Sequence, residues 1–79
     1  PRTARTGPSA STVGRRLRDT EQAMVKAQRR VDTLNGELAE SADHGELAEL
    51  GTALADAQAE LDRLEATWLE LAELAELAE

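Results

Sequence analysis

Apolar residues recur through most of the chain at alternating intervals of four and three residues. This spacing keeps apolar side chains on one stripe of an α-helix and is typical of coiled coils. We therefore predict one helix over about residues 12–42 and a second over about residues 46–78. The predicted stripe, called the seam below, consists of Val13, Leu17, Thr20, Met24, Ala27, Val31, Leu34, Leu38 and Ser41, then Leu47, Leu50, Leu54, Ala57, Leu61, Leu64, Trp68, Leu71, Ala75 and Ala78.

A short polar segment between the two series is predicted to form a turn at about residues 43–46. Asp43 can cap the second helix, and Glu46 follows at the position where it can reach back to complete a capping box. A chain that folds back here pairs Leu38 with Leu50, Leu34 with Leu54, Met24 with Leu64 and Leu17 with Leu71, and places Ala57 opposite Val31 and Trp68 opposite Thr20. The predicted fold is all-α, an antiparallel two-helix coiled-coil hairpin.

The chain divides into a short linker and the hairpin. Residues 1–10, PRTARTGPSA, mix Pro, Gly, Ser, Thr and Arg without a period, which is typical of a flexible segment. We predict a flexible basic linker over residues 1–10 and the hairpin over residues 11–79. Because the chain does not begin with Met, we expect it to be a fragment of a longer protein. It contains no apolar run long enough for a membrane span and no secretory leader.

The net charge of −7 hides two regions of opposite sign. Residues 1–30 contain eight basic and two acidic residues, a net of +6, and the remainder contains one basic and fourteen acidic residues, a net of −13. The segment GRRLRDTEQAMVKAQRR, residues 14–30, holds six of the basic residues. Such a block in an acidic chain indicates a surface that can meet a polyanion.

Helical periodicity places four basic residues of this block on the outside of the first helix and two on its flanks. The flanking residues can form ion pairs across the hairpin, Arg30 with Glu60 and Arg16 with Glu70 or Glu73. The outward residues have no such partner, and arginines in a first helical turn oppose the helix macrodipole, which indicates a functional role. We predict phosphate contacts from Arg15, Arg18, Lys26 and Arg29, with Arg2 and Arg5 adding reach from the linker. The alternative for these residues is a solvated charged face.

Two glycines and the C-terminal repeat depart from the pattern. Gly36 and Gly51 each cost about 1 kcal/mol in a helix interior, and they are either tolerated surface positions or a hinge. Leu71, Leu74 and Leu77 repeat every three residues, so Leu74 and Leu77 drift off the seam. We expect these two leucines on a frayed end or against another molecule.

The remaining side chains give little support to catalysis or to a metal site. His44 lies at the turn beside Asp43 and Glu46, but these residues are better explained as helix caps than as metal ligands. The repeated carboxylates have no pocket to raise a pKa, and no nucleophile, base or cofactor loop is assembled. We therefore predict no catalytic residue, no metal and no cofactor in this chain.

Three segments of the chain are distinctive: GRRLRDTEQAMVKAQRRVDTLNGELAE in the first helix, DHGELAELG at the turn, and ALADAQAELDRLEATWLELAE in the second helix. Together they resemble the C-terminal coiled-coil domain of ABC-F ATPases over about residues 12–73. In that family an aromatic residue often precedes LE near the end of the second helix, as in TWLELAE here. Similar hairpins form arms of some aminoacyl-tRNA synthetases. The ATPase signatures of the family are absent here, so the resemblance implies an ATPase parent and a fragment that is not itself an enzyme.

The resemblance implies a partner and a location. ABC-F proteins are cytoplasmic, do not transport, and act on ribosomes or bind nucleic acid, and in some members this hairpin contacts DNA or RNA. We therefore expect a cytoplasmic arm that binds the backbone of DNA, rRNA or tRNA, or the ribosome, without a membrane partner. The alternative is a protein-interaction or oligomerisation coiled coil, in which Leu69, Leu74 and Leu77 meet another helix. Because the seam residues of each helix have their partners on the other helix of the same chain, we expect a monomer or weak self-association.

Overall fold

The computed structural model describes residues 9–77, which form two α-helices joined by a short turn. Helix α1 spans Ala10–Glu40 and helix α2 spans His44–Leu77, and no strand occurs in this part of the chain. The helices pack against each other in antiparallel orientation, which confirms the predicted all-α hairpin. At 1.5 Å per residue, the longer helix α2 is about 50 Å long, so the hairpin is a rod.

Helix α1 begins earlier than the hydrophobic pattern suggested because a serine caps it. The Ser9 hydroxyl accepts a hydrogen bond from the Thr12 backbone N–H at 3.2 Å, and the Ser9 carbonyl accepts one from the Val13 N–H at 2.9 Å. These contacts satisfy two of the backbone donors left free at a helix start. The predicted linker residues 1–8, which include Arg2 and Arg5, lie outside the described residues.

Asp43 caps helix α2, as the sequence predicted. Its carboxylate accepts from the Glu46 N–H at 3.2 Å and its carbonyl accepts from the Leu47 N–H at 2.8 Å. The reciprocal half of the capping box is absent from this turn, and that prediction was wrong. The Ser41 hydroxyl lies between the two residues, accepting from the Asp43 N–H at 3.3 Å and donating to the Glu46 carboxylate.

The predicted seam is the buried stripe of both helices. Every seam position from Val13 to Ala75 is buried or half-buried, whereas Ala78 lies outside the described residues. Val31, Leu34 and Ala57 form a buried cluster in the half of the rod near the turn, called the central cluster below, and Leu50, Ala53 and Leu54 pack against it. At the other end of the rod, Val13 and Leu71 are also buried. Val31 and Ala57 therefore share one cluster, as predicted, and Leu54 packs against the cluster that contains its predicted partner Leu34.

Both helices continue through their glycines without a break. Gly36 and Gly51 lie inside α1 and α2, neither has a positive φ, and a Cβ added at either position would meet nothing within 4 Å. Helix α2 also continues through the leucine repeat to Leu77, so Leu74 and Leu77 lie on a formed helix and not on a frayed end. Within residues 9–77, neither helix has the length of apolar sequence needed to cross a bilayer.

Candidate nucleic-acid interface

The four outward basic residues of α1 lie on the surface. Arg15, Arg18, Lys26 and Arg29 are all exposed, on the side of the helix away from the seam. Arg15 and Arg29 are fourteen residues apart, so the row is about 21 Å long at 1.5 Å per residue. These four residues are called the basic stripe below. A row of exposed cations along a rigid helix can contact successive phosphates without rearrangement of the backbone.

Salt bridges do not occupy the basic residues of α1. Within residues 9–77 the single salt bridge joins Arg63 to Glu60, three positions apart on α2. The predicted ion pairs of Arg30 with Glu60, and of Arg16 with Glu70 or Glu73, do not form. Glu60 pairs with the neighbouring Arg63 instead, since a pair one turn apart on the same helix needs less ordering than a pair across the hairpin. All six basic side chains of α1 therefore remain in contact with solvent.

The basic stripe does not oppose the macrodipole of α1. Because α1 begins at Ala10, Arg15 and Arg18 lie beyond its first turn, where the effect of the macrodipole has largely faded. Their position is therefore not unfavourable. The outward placement of the stripe and its local positive charge are the two features that favour phosphate binding.

Charge is segregated between the two sides of the rod. In the half of the rod away from the turn, residues 15–30 of α1 contain six basic and two acidic residues, a net of +4, whereas residues 58–77 of α2 contain one basic and six acidic residues, a net of −5. The two helices lie side by side, so the positive and negative surfaces face away from each other. A polyanion is attracted to the α1 side and repelled by the α2 side, which determines how the rod can lie against it.

Two features near the stripe were not predicted from the sequence. The Trp68 indole N–H donates to the Glu21 carboxylate at 2.9 Å, which ties the helices together beside the half-buried ring. Val25 is 51% exposed and lies between Arg18 and Arg29 on the outer face. Val25 follows the seam residue Met24 and is one heptad from Arg18, so its outward position could have been found from the spacing. The hydrogen bond from Trp68 to Glu21 could not be predicted from the sequence, since a glutamate on the flank of a helix has several possible partners.

The surface depressions do not resemble catalytic pockets. One, of about 410 Å³, lies at the turn and is lined by Glu37, Glu40, Ser41, Glu46 and Leu50. Its carboxylates would repel phosphate, so it does not extend the stripe. A second, of about 270 Å³, is lined by Arg30 and five residues of both helices. His44 is exposed at the start of α2, and no group of three metal-ligating side chains occurs in the described part of the chain.

Three leucines of the alternative interaction surface are exposed, but they do not share a face. Leu69 is 59% exposed, Leu74 41% and Leu77 82%. At 100° per residue these positions spread over about 140° of the circumference of α2. A single partner helix would therefore cover Leu74 and Leu77, which are one turn apart, or Leu69, but not all three.

Comparison with protein families identifies a family. A family model described as ABC transporter C-terminal domain matches residues 13–73, which is most of the chain and nearly the same segment that carries the sequence resemblance. Comparison with curated proteins and with solved structures gives no significant match. The matched residues include the whole turn and both faces of the hairpin.

Proposed function

The chain belongs to the ABC transporter C-terminal domain family, and we propose that it is the nucleic-acid- or ribosome-binding arm of an ABC-F-type ATPase. The family is a C-terminal domain, in agreement with the prediction that this chain is not an enzyme. The proposal places the hairpin in the cytoplasm, where ribosomes and nucleic acid are available. It leaves ATP hydrolysis to the rest of the parent protein.

The observation that supports the proposal is the exposed, unpaired basic stripe on the side of the rod opposite the acidic helix. Arg15, Arg18, Lys26 and Arg29 are exposed and form no salt bridge within residues 9–77. Phosphates would gain these contacts without first breaking internal ion pairs. Since no aromatic side chain lies on the stripe, the contacts follow the backbone and carry little sequence preference.

Binding of duplex DNA and of structured RNA tests the proposal. Arg15, Arg18, Lys26 and Arg29 are replaced together by Gln, which removes their charge and keeps a polar side chain that favours a helix. Each phosphate neutralised on a duplex contributes about 0.9 to the salt slope, so four contacts give a slope of about 3 to 4, and the variant should lose most of it. The fold should persist, because none of the four residues lies on the seam.

A matched control separates the stripe from charge in general. The Arg16→Gln, Arg30→Gln variant, with Arg63→Gln added, removes three cations that lie off the stripe. We expect this control to retain most of the affinity and salt slope. Equal binding by the parent and the four-residue variant at moderate salt, with helicity unchanged by circular dichroism, would show that the stripe is only a solvated face.

The alternative function is contact with another protein helix through Leu74 and Leu77, favoured by their exposure next to each other on α2. Replacing both by Gln distinguishes the two functions. Nucleic-acid binding should be unchanged by this variant, whereas association with a partner helix should be lost.

A further inference from the structure

Each helix carries a second row of exposed residues on the side away from the seam. The α1 outer stripe consists of Arg15, Arg18, Gln22, Val25 and Arg29, and the α2 outer stripe consists of Asp62, Ala66, Leu69, Glu73 and Glu76. All ten residues are exposed. None of the charged members forms a salt bridge within residues 9–77. Both stripes are therefore helix faces without a partner.

The two stripes have identical spacing when they are placed antiparallel. The α1 outer stripe advances by three, four, three and four residues, and the α2 outer stripe, followed from Glu76 back to Asp62, does the same. In that register three cations meet three carboxylates: Arg15 meets Glu76, Arg18 meets Glu73, and Arg29 meets Asp62. The two central positions bring Gln22 against Leu69 and Val25 against Ala66.

We propose that the α1 outer stripe of one molecule docks on the α2 outer stripe of a second copy of this chain. The charges match in sign and position, and the centre of the contact covers the exposed Val25 and Leu69, which are 51% and 59% exposed in the single molecule. The small Ala66 opposite Val25 lets the helices approach to the 8–10 Å typical of helix packing. This proposal does not depend on nucleic-acid binding, because it also uses the face of α2.

The position of the stripes determines the kind of assembly. They lie on different helices and point away from each other, so the contact joins unlike surfaces of two molecules. After two molecules have joined, one of them still has a free α1 outer stripe on one side of the pair. The other molecule still has a free α2 outer stripe on the opposite side. Such a heterologous contact continues beyond a dimer unless the rotation between molecules closes a ring. The ion pairs are exposed at the rim, so the association is weak and sensitive to salt.

Sedimentation over a concentration series at low ionic strength tests the proposal. The average mass of the parent chain should rise steadily with concentration, and the rise should vanish when ionic strength shortens the Debye length from about 30 Å to about 3 Å. The triple variant Asp62→Lys, Glu73→Lys, Glu76→Lys places like charges in contact. Its association constant should fall by about tenfold to a hundredfold. Reversal of Arg15, Arg18 and Arg29 to Glu should have the same effect.

Exchange of the charges between the two outer stripes gives the decisive test. Each triple variant alone should remain monomeric, whereas a mixture of the two, or one chain carrying all six reversals, should associate again. A matched control, Glu37→Lys, Glu40→Lys, Glu49→Lys, makes the same change in net charge near the turn, away from both stripes, and should not disrupt the association. Circular dichroism checks that every variant is helical.

The outcomes that contradict the proposal are specific. A parent chain that stays monomeric over the whole low-salt series would overturn it. So would association that survives both triple reversals, or that is lost on changing only Leu74 and Leu77 to Gln.

Discussion

The half of the hairpin near the turn and the half near its open end differ in what their residues do. The turn half, residues 31–57, contains the central cluster of Val31, Leu34 and Ala57 and both caps of the turn. It has seven acidic residues and no Lys or Arg. The open half, residues 10–30 with 58–77, has seven basic and eight acidic residues, and nearly all the basic ones lie on α1.

Under the proposed function, the turn half supplies stability and the open half supplies the binding surface. The turn half is uniformly acidic on its surface, so it repels polyanions and offers no complementary face to a second copy of itself. The open half places opposite charges on opposite sides of the rod, which gives both the basic stripe and the pair of outer stripes. Substitutions in the turn half should therefore change folding, and those on the outside of the open half should change binding.

The largest expected effect comes from Leu34→Ala in the turn half. Leu34 is 4% exposed within the central cluster, and removing a buried leucine side chain typically costs about 2–5 kcal/mol. A two-helix rod has little stability to lose, so the variant should be largely unfolded near room temperature. Thermal denaturation followed by circular dichroism measures the effect. The matched control Leu77→Ala, at an 82% exposed leucine, should change the free energy of unfolding by less than about 0.5 kcal/mol. An equal loss of unfolding free energy in the two variants would show that Leu34 does not belong to the core.

The next largest effect is a gain of stability from Gly36→Ala combined with Gly51→Ala. Both positions are helical with open space around the added Cβ, so each replacement should add about 1 kcal/mol. The thermal midpoint should rise by about 4–8 °C for each kcal/mol.

The same double variant decides between the two interpretations of these glycines. Unchanged nucleic-acid binding would mean that they are tolerated surface positions. Weaker binding in spite of higher stability would mean that the turn half bends on its ligand. No gain in stability would contradict the continuous helices.

The smallest of these effects concerns the tie between the helices in the open half. Glu21→Ala removes the acceptor of the Trp68 indole N–H and should cost about 1 kcal/mol. Trp68 is the one tryptophan of the chain, so its fluorescence reports this contact directly. Its emission should change in Glu21→Ala and stay as in the parent in the matched variant Glu70→Ala. The same response from both variants would show that the contact does not hold the ring.

Much of the fold could be predicted because a long two-helix rod repeats one simple rule. The heptad spacing identified every described seam residue, and the pairing of Leu34 with Leu54 followed from the position of the turn alone. The caps were harder. Asp43 was found because it precedes an apolar series, whereas Ser9 was assigned to the linker because Pro, Gly and Ser surround it.

The candidate site was predicted in position but not in its contacts. Periodicity placed Arg15, Arg18, Lys26 and Arg29 outside, since an exposed helical position follows directly from the seam. Ion pairing could not be derived in the same way. Arg30 and Arg16 each had plausible partners across the hairpin, and long flexible side chains choose among neighbours of similar energy.

The sequence by itself determined the two helices, their antiparallel arrangement and the separation of charge between them in the open half, because periodic spacing locates the seam on each helix and the position of the turn determines how the two helices meet. Only the tertiary structure decided the start of α1 at Ala10, the hydroxyl of Ser41 inside the turn, the bond from Trp68 to Glu21 and the pairing of Glu60 with Arg63. These contacts depend on where individual polar atoms end up once the backbone is in place. Their energies differ by amounts too small for a spacing rule to rank.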